Sequence, residues 1–323
     1  MFELNLTHEA LVGAPKAENY DLIILGGGPA GLTAGIYAAR ARLNTLLVEK
    51  AVPGGQAAVT SHIENYPGFP DGVEGPELGQ RMKDQAIHFG LQVLATSISQ
   101  VSVEGEAKLV HTDQGIFRAR ALIVATGALS VPLGVKGELE LRGRGVSYCA
   151  TCDGAFFRDA TVAVVGGGDS AIEEAIYLTR FAKEVIIIHR RNALRATRIL
   201  QDRALSNPRI RVEWDSVVEE VVGENVVQSL VVRNVKTGAR SDLGVDGVFV
   251  YVGRRPNTEI LGDALKLDER GYIITNEEMA TSAPGIFAAG DVRAKTLRQV
   301  ITACADGALA AVSADKFLQE QVH

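Results

Sequence analysis

The sequence predicts an α/β protein: two Rossmann-like dinucleotide-binding domains, each with a β-meander insertion, the second domain set inside the first. Three observations predict it. A short apolar strand running into a glycine-rich turn and then a helix occurs twice, at Gly26-Gly27-Gly28-Pro29-Ala30-Gly31 and at Gly166-Gly167-Gly168-Asp169-Ser170-Ala171. The same order of segments follows each turn, and each copy closes on an apolar strand that runs into glycine, at Gly127 and at Gly253. Beyond Gly253 the chain goes on through a further strand and a terminal helix, as an interrupted first copy would. A shared order at similar spacing is the mark of a duplicated unit.

Residues 1–19 are expected to form a flexible N-terminal extension. The first part of the first domain, 20–126, opens on the apolar run Tyr20 to Leu25, suited to a buried parallel strand. A helix from Leu32 to about Arg42 follows the glycine turn, and a second strand, Thr45 to Val48, ends at Glu49. Alternating β-type segments occupy Leu91 to Phe117, and the strand from Ala121 reaches Thr126 and Gly127. The inserted domain, 127–253, repeats the plan. It has a strand at Val162 to Val165, a helix to about Phe181, and a strand from Val185 to Ile188 ending at His189-Arg190-Arg191. A β-type stretch, Ile210 to Leu243, leads to the closing strand Gly247 to Val252. Residues 254–323 return to the first domain with a strand and turn at Ser282 to Asp291 and an alanine-rich helix.

Hydrophobic residues make up 46% of the chain and charged residues 22%, the proportions of a soluble globular protein. A net charge of -6 argues against nucleic acid or an anionic membrane as partner, because neither is drawn to an acidic surface. The longest apolar stretch, Leu22 to Leu47, is broken by Arg40 and Arg42 and does not suit a membrane span. The first twenty residues lack the basic start and apolar centre of a signal peptide. Three cysteines do not make a disulfide scaffold, which predicts a reducing, cytoplasmic setting.

A glycine turn between strand and helix lets a pyrophosphate approach the N–H groups at the helix N-terminus, where the dipole favours negative charge. Glu49, closing the second strand, is placed to bind ribose hydroxyls, so the first site suits FAD or NAD. The second copy puts His189-Arg190-Arg191 at that register, with Arg195 beyond. A carboxylate there would repel a 2′-phosphate, whereas guanidinium groups bind one through charge-assisted hydrogen bonds, so the second site prefers NADP. Cys149-Ala150-Thr151-Cys152 is a C-x-x-C, redox-active or half of a metal site. Zinc would need two more ligands; the only other cysteine is Cys304, and the six histidines show no paired spacing, so no metal is expected. Asp153 is either a helix cap or a proton donor to a thiolate. Asp291, after a strand and Gly290, is either a turn residue or a ligand of a flavin's ribityl chain. Cys304, in an alanine-rich helix, reads as a small core residue.

At this point the residues resemble a known family. Roughly 20–318 is similar to the low-molecular-weight thioredoxin reductases of bacteria, plants and fungi. GGGPAG (26–31), GGQ (54–56), ENYPGF (64–69), CATCDG (149–154) and GGGDSA (166–171) carry the likeness, with HRRNALRA (189–196), GRRPNT (253–258), AAGDV (288–292) and RQ (298–299). The resemblance implies a homodimeric, NADPH-dependent thioredoxin-disulfide reductase. Around FAD it implies Gly26, Gly28, Pro29, Ala30, Glu49 and Lys50 from the first turn and strand. Gly55, Gln56, Asn65, Thr126, Gly127, Asp291, Arg298 and Gln299 would complete that site. Gly166, Gly168, Asp169 and Ser170, with His189, Arg190, Arg191 and Arg195, would hold NADPH. Cys152 would face the flavin, Cys149 would attack the partner disulfide, and Asp153 would be the acid–base group. Arg144, Phe156 and Phe157 match positions that dock thioredoxin. The stretch Val292 to Leu297 is more basic than the family leads one to expect.

Because the dithiol and the NADPH site fall in the same inserted domain, one rigid arrangement cannot present each in turn to the flavin. A rotation about the crossings near Gly127 and Gly253 is therefore expected. Relatives that draw electrons from ferredoxin lose the second glycine turn and the arginines, and both are present here. A non-catalytic redox sensor is the remaining alternative class.

Overall fold

The structure, a computed structural model, describes residues 19–60 and 62–321. The expected extension lies outside the described residues except for Asn19, which already pairs with Arg118 as the first residue of a strand. The chain divides into two compact units, Met1–Leu129 with Arg255–His323, and Ser130–Arg254.

In chain order the first unit begins with β1 (Asn19–Leu25), α1 (Pro29–Arg40), β2 (Thr45–Glu49), α2 (Gly55–Ala58), α3 (Gly75–His88) and β3 (Gln92–Ala95). It continues with β4 (Ile98–Glu104), β5 (Ala107–Thr112) and β6 (Gly115–Val124), and β7 (Ala128–Ser130) leads out of it. The second unit holds β8 (Val146–Ser147), α4 (Ala150–Asp153), β9 (Thr161–Val165), α5 (Asp169–Leu178), β10 (Glu184–Ile188), α6 (Arg198–Leu205) and β11 (Ile210–Glu213). A meander of β12 (Ser216–Val222), β13 (Ser229–Asn234) and β14 (Arg240–Gly244) precedes β15 (Gly247–Val250). The chain returns through β16 (Arg254–Pro256) to β17 (Ile286–Ala288) and α7 (Val300–Glu320). The two connecting segments, β7 and β16, form a two-stranded sheet of their own.

The first unit is built on a seven-stranded sheet in the order β3-β2-β1-β6-β5-β4. Strand β6 is long enough to serve two neighbours on one edge, β5 antiparallel over 115–119 and β17 parallel over 122–124. The parallel strands are buried on both faces, so they read as unbroken apolar runs rather than alternating ones. Leu22, Ile24 and Ile123 pack with α1, α3 and α7, while Ile23, Leu25 and Leu122 pack with Ile286 and Val292 on the other side. The second unit repeats this scheme on a parallel sheet ordered β11-β10-β9-β15-β8. There Val162 and Val164 pack with α5, and Ala163 and Val165 pack with Val218 and Leu230 of the meander.

Helix α1 begins at Pro29 and ends at Arg40, earlier at both ends than the pattern of apolar residues suggests. Proline is well suited to a first turn, where its missing N–H costs nothing. Arg42 takes a left-handed φ of 66°, which a continuing helix does not allow. Likewise α5 stops at Leu178 rather than near Phe181. No helix among the described residues is long and apolar enough to cross a membrane.

Candidate functional site

Each unit presents its glycine turn at the carboxyl ends of its parallel strands, where open α/β sheets bind ligands. In the first unit Gly27 donates its N–H to Glu49 Oε2 at 2.7 Å, and Glu49 Oε1 accepts from Ala51 N–H at 2.9 Å. The end of β2 is thereby tied to the turn. Gly54 donates to Gly27 O at 2.7 Å, which brings Gly55 and the exposed Gln56 to the same place. Gly28 caps α1 with no side-chain hydrogen bond, so the first N–H groups of the helix keep their donors for a ligand. A Cβ on Gly28 would meet only Gly55 Cα, at 3.9 Å. Pro29 and Ala30 open the helix, and Lys50 stands exposed just past Glu49.

The distant segments of this unit converge through specific bonds. Thr126 Oγ1 donates to Asn257 O at 2.7 Å, and Asn257 Nδ2 donates to Thr126 O at 2.8 Å. Asn257 N–H also donates to Gly127 O at 3.0 Å. Asn65 Nδ2 donates to Gln299 Oε1 at 3.2 Å, and Gln299 closes a capping box with Thr302 at the start of α7. Arg298 lies over the Tyr272 ring, 4.0 Å from its centroid, with a buried Nε that has no partner. Gly290, at φ 78°, turns the chain into the half-buried Asp291. An open turn, a helix N-terminus with free donors and an orphaned guanidinium nitrogen suit an anionic dinucleotide.

The second unit builds the same cradle with different chemistry. Gly166 leads the turn at the end of β9. A Cβ on Gly27 would lie 3.0 Å from Glu49 Cγ, and a Cβ on the equivalent Gly167 would lie 2.4 Å from His189 Cε1. His189 thus fills the space that Glu49 fills in the first unit. It is 4% exposed, and its Nε2 bonds to Ala193 O at 3.0 Å. Burial, and then the neighbouring arginines, push its pKa below the usual histidine range, which keeps the ring neutral at physiological pH. Gly167 O accepts from Arg195 N–H at 2.7 Å, and Asp169 Oδ1 accepts from Thr197 N–H at 2.6 Å. These bonds hold the loop of Arg190, Arg191 and Arg195 against the turn. All three arginine side chains are exposed and make no ion pair among the described residues. A Cβ at Gly168 would meet nothing within 4 Å, so space remains beside Ser170 and the N-terminus of α5. A cradle edged by three uncommitted cations suits a 2′-phosphorylated dinucleotide.

Cys149 and Cys152 form a disulfide with Cα atoms 5.3 Å apart. Cys149 is the N-cap of α4, its Sγ accepting from Cys152 N–H at 3.2 Å, and its own N–H donates to Ser147 Oγ at 3.1 Å. A sulfur that receives a backbone N–H is stabilised as thiolate once the disulfide opens. Cys149 is half-buried and Cys152 exposed. Asp153 ends α4, half-buried, and its side chain makes no capping bond to the 3-10 turn that follows. Phe156 and Phe157 part company: Phe156 is 82% exposed, while Phe157 packs edge-on against Phe249 at 5.3 Å. Arg144 is exposed and donates to Glu140 O. Cys304 is buried in the first unit, with Tyr66 Oη 3.8 Å from its sulfur. Among the described residues no group of side chains could hold a metal.

Sequence reasoning missed the polar groups beneath α4. Tyr251 Oη accepts from Ala150 N–H at 2.9 Å, and burial, followed by the charge of Glu174, raises the tyrosine's pKa. Glu174 keeps one buried oxygen without a partner. Burial, reinforced by Glu173 and opposed by Arg254, pushes Glu174 up to about 7. Glu138 accepts from Leu133 N–H, Gly134 N–H and Tyr148 Oη, each at 2.7 Å, and so fixes the residue before Cys149. Tyr251 and Glu174 lie far from α4 in the sequence, and Glu138 bonds within the segment from Leu133 to Tyr148; no residue pattern announces either.

Glu174 has a consequence for stability. Its carboxyl ionises near pH 4.5 when unfolded, so between there and about 7 the folded chain retains a proton the unfolded chain has lost. Stability therefore falls as pH rises through that window and stays lower above it. Glu174→Gln is expected to gain roughly 1–3 kcal/mol on the parent between pH 5 and pH 8, partial exposure discounted. Urea unfolding at the two pH values measures it; an equal difference at both would contradict the assignment.

Comparison with known proteins places this geometry. The protein-family pattern described as pyridine nucleotide-disulphide oxidoreductase matches residues 20–307. Thioredoxin reductase of Listeria innocua is 50% identical over 308 residues, spanning 95% of this chain and 96% of that one. The crystal structure of Lactococcus lactis thioredoxin reductase, 47% identical, superposes with a TM-score of 0.92 over 93% of this chain and 99% of the other. That of T. acidophilum thioredoxin reductase, 33% identical, gives 0.90 over 95% and 100%.

Proposed function

The chain belongs to the thioredoxin reductase family of pyridine nucleotide-disulphide oxidoreductases, and from that premise we propose that it carries electrons from NADPH to oxidised thioredoxin. The observation that carries the reading is the Cys149–Cys152 disulfide at the start of α4 in the same unit as the arginine-edged glycine turn. Residues 20–126 and 254–323 form the FAD-binding domain in this reading, and 127–253 the NADPH-binding domain.

FAD, held by the first unit, would supply a hydride acceptor and a two-electron donor to a disulfide. Everything else falls to side chains. Glu49 takes ribose hydroxyls; Thr126, Asp291, Arg298 and Gln299 hold the remainder of the flavin nucleotide. Arg190, Arg191 and Arg195 clamp the 2′-phosphate of NADPH, and the α5 N-terminus faces its pyrophosphate. His189 acts from behind, keeping the turn open and the arginine loop in register. Cys152 takes the electron pair, breaking its bond to Cys149 and leaving Cys149 as a thiolate stabilised by the Cys152 N–H. Asp153 supplies the proton to the other sulfur. The Cys149 thiolate attacks one sulfur of the thioredoxin disulfide, whose second sulfur leaves. Cys152 then attacks Cys149, reforming the enzyme disulfide and releasing the reduced partner. The dithiol and the NADPH site share one unit, so rotation about β7 and β16 alternates their access to the flavin.

Arg144 and Phe156 dock thioredoxin. Phe156→Ala is expected to raise the KM for thioredoxin about tenfold, typical of an exposed aromatic anchor, with the melting temperature unchanged. Phe157→Ala is expected instead to cost about 3–5 kcal/mol of stability, because its ring is packed. Equal stability losses in both variants would contradict this division.

The chain forms a homodimer through its FAD-binding domain, where Ile301, Leu309 and Val312 stand exposed along α7. Sedimentation is expected to give twice the chain mass, and a monomer at micromolar concentration would rule it out.

The activity itself is tested by anaerobic-to-aerobic turnover assays with purified thioredoxin. Sustained NADPH oxidation that requires oxidised thioredoxin is expected; NADPH oxidation independent of any disulfide would point to another acceptor.

A further inference from the structure

The unexpectedly basic stretch after Asp291 finds its explanation in one carboxylate. Arg293 Nη1 donates to Asp306 Oδ1 at 2.9 Å, and Lys295 Nζ donates to Asp306 Oδ2 at 2.7 Å. The N–H of Gly290 donates to the same Oδ2 at 3.1 Å. Asp306 is 7% exposed, and the side chains of both cations are nearly as buried. Three donors from one loop therefore converge on a single buried acid of α7.

That acid stands on a fixed base. Helix α7 lies so close to α1 that a Cβ on Gly307 would be 2.1 Å from Ala30 O. A Cβ on Gly290 would sit 2.8 Å from Ala30 Cβ. The loop is anchored again further on, where Arg293 Nε donates to Thr275 Oγ1 at 2.9 Å and Arg293 O accepts from Arg298 Nη2 at 3.5 Å. Breaking one partner of a buried ion pair leaves an uncompensated charge, so such a cluster permits few alternative loop positions.

We propose that Asp306 is a positioning residue for the flavin site. Its carboxylate draws Gly290, Arg293 and Lys295 onto α7 and so sets where Asp291 and Arg298 stand. The proposal rests on the reading that those two residues hold FAD. Without the carboxylate, Arg293 and Lys295 are buried like charges with no common partner, and the loop must shift to hydrate them.

The test is FAD affinity of the full chain stripped of flavin, read from the change in FAD fluorescence on binding. Asp306→Asn, Asp291→Asn and the double variant are compared with the parent. Asp306→Asn is expected to weaken FAD binding on the order of tenfold, and the double variant to be no weaker than the weaker single, because both changes act on one contact. Unchanged affinity in Asp306→Asn, or losses that multiply in the double variant, overturns the proposal while leaving the FAD reading intact. A parent chain that does not bind FAD overturns both. Should Asp306→Asn fail to fold, Lys295→Met removes one arm of the cluster. It is expected to weaken FAD in the same direction and to couple to Asp291→Asn; unchanged affinity there overturns the proposal as well.

Discussion

Cys152→Ser is expected to abolish NADPH-driven reduction of thioredoxin, by at least about a thousandfold, as loss of a covalent relay does. The same variant is expected to accumulate a mixed disulfide with a thioredoxin that lacks its resolving cysteine and carries an aryl thiol disulfide-bonded to the remaining one, the aryl thiolate leaving as Cys149 attacks. The two outcomes together separate the roles of the pair. With Cys152 gone, Cys149 remains a thiol whose sulfur sits at the head of α4, where a backbone N–H favours the thiolate. It can open a partner disulfide but nothing attacks it in turn, so the bond to the partner persists. Cys149→Ser is expected to be equally inactive without trapping the partner. Mass analysis under non-reducing conditions reads the difference. Trapping by Cys149→Ser and not by Cys152→Ser would reverse the assignment of nucleophile, a real alternative given that Cys152 is the more exposed residue. Neither change disturbs a packed core, so thermal stability is expected to move little.

Removal of the arginine pair is expected to have the next largest effect. Arg190→Ala with Arg191→Ala should raise the KM for NADPH on the order of 10²–10⁴-fold, since each charge-assisted hydrogen bond contributes about 1.5–3 kcal/mol. NADH, which has no 2′-phosphate, should be used as well as before. The reason is structural. The loop is fastened by the backbone of Arg195 to Gly167 and by Asp169 to Thr197, and neither bond involves the two guanidinium groups. The variant therefore keeps the cradle and loses only its charge. An equal loss for NADPH and NADH would mean that the arginines support the loop itself and do not read the phosphate.

Much of this was legible in the sequence because the signals are local. Apolar runs that meet glycine, such as Leu22 to Gly26 and Val162 to Gly166, identify buried parallel strands and the turns after them. Their repetition gives the paired sheets. The C-x-x-C and the replacement of Glu49 by His189 at one register are likewise visible along the chain. Helix ends were less legible, because a left-handed residue such as Arg42 interrupts an apolar pattern that otherwise continues. The buried polar groups were not legible at all. Asp306 and Glu174 depend on donors or neighbours that the fold brings together, Glu138 on a loop that closes around it, and each is an ordinary acid in its own stretch. His189 shows the limit most clearly. Its position beside Arg190 suggests a ligand contact, yet its ring packs behind Gly167 and bonds to Ala193. Phe156 and Phe157, adjacent and alike in sequence, differ because successive residues of the 3-10 helix Gly154–Phe157 point in different directions, about a third of a turn apart.

The proposed function routes electrons along a single path from a 2′-phosphorylated nicotinamide through flavin to the Cys149–Cys152 pair. Anaerobic titration of the purified, flavin-loaded protein with NADPH, with NADH in parallel, tests it most directly. The flavin absorption band is expected to bleach at far lower NADPH than NADH concentration and to return when oxidised thioredoxin is added. A bound flavin that neither nucleotide bleaches would contradict it and would point to a protein electron donor in place of NADPH.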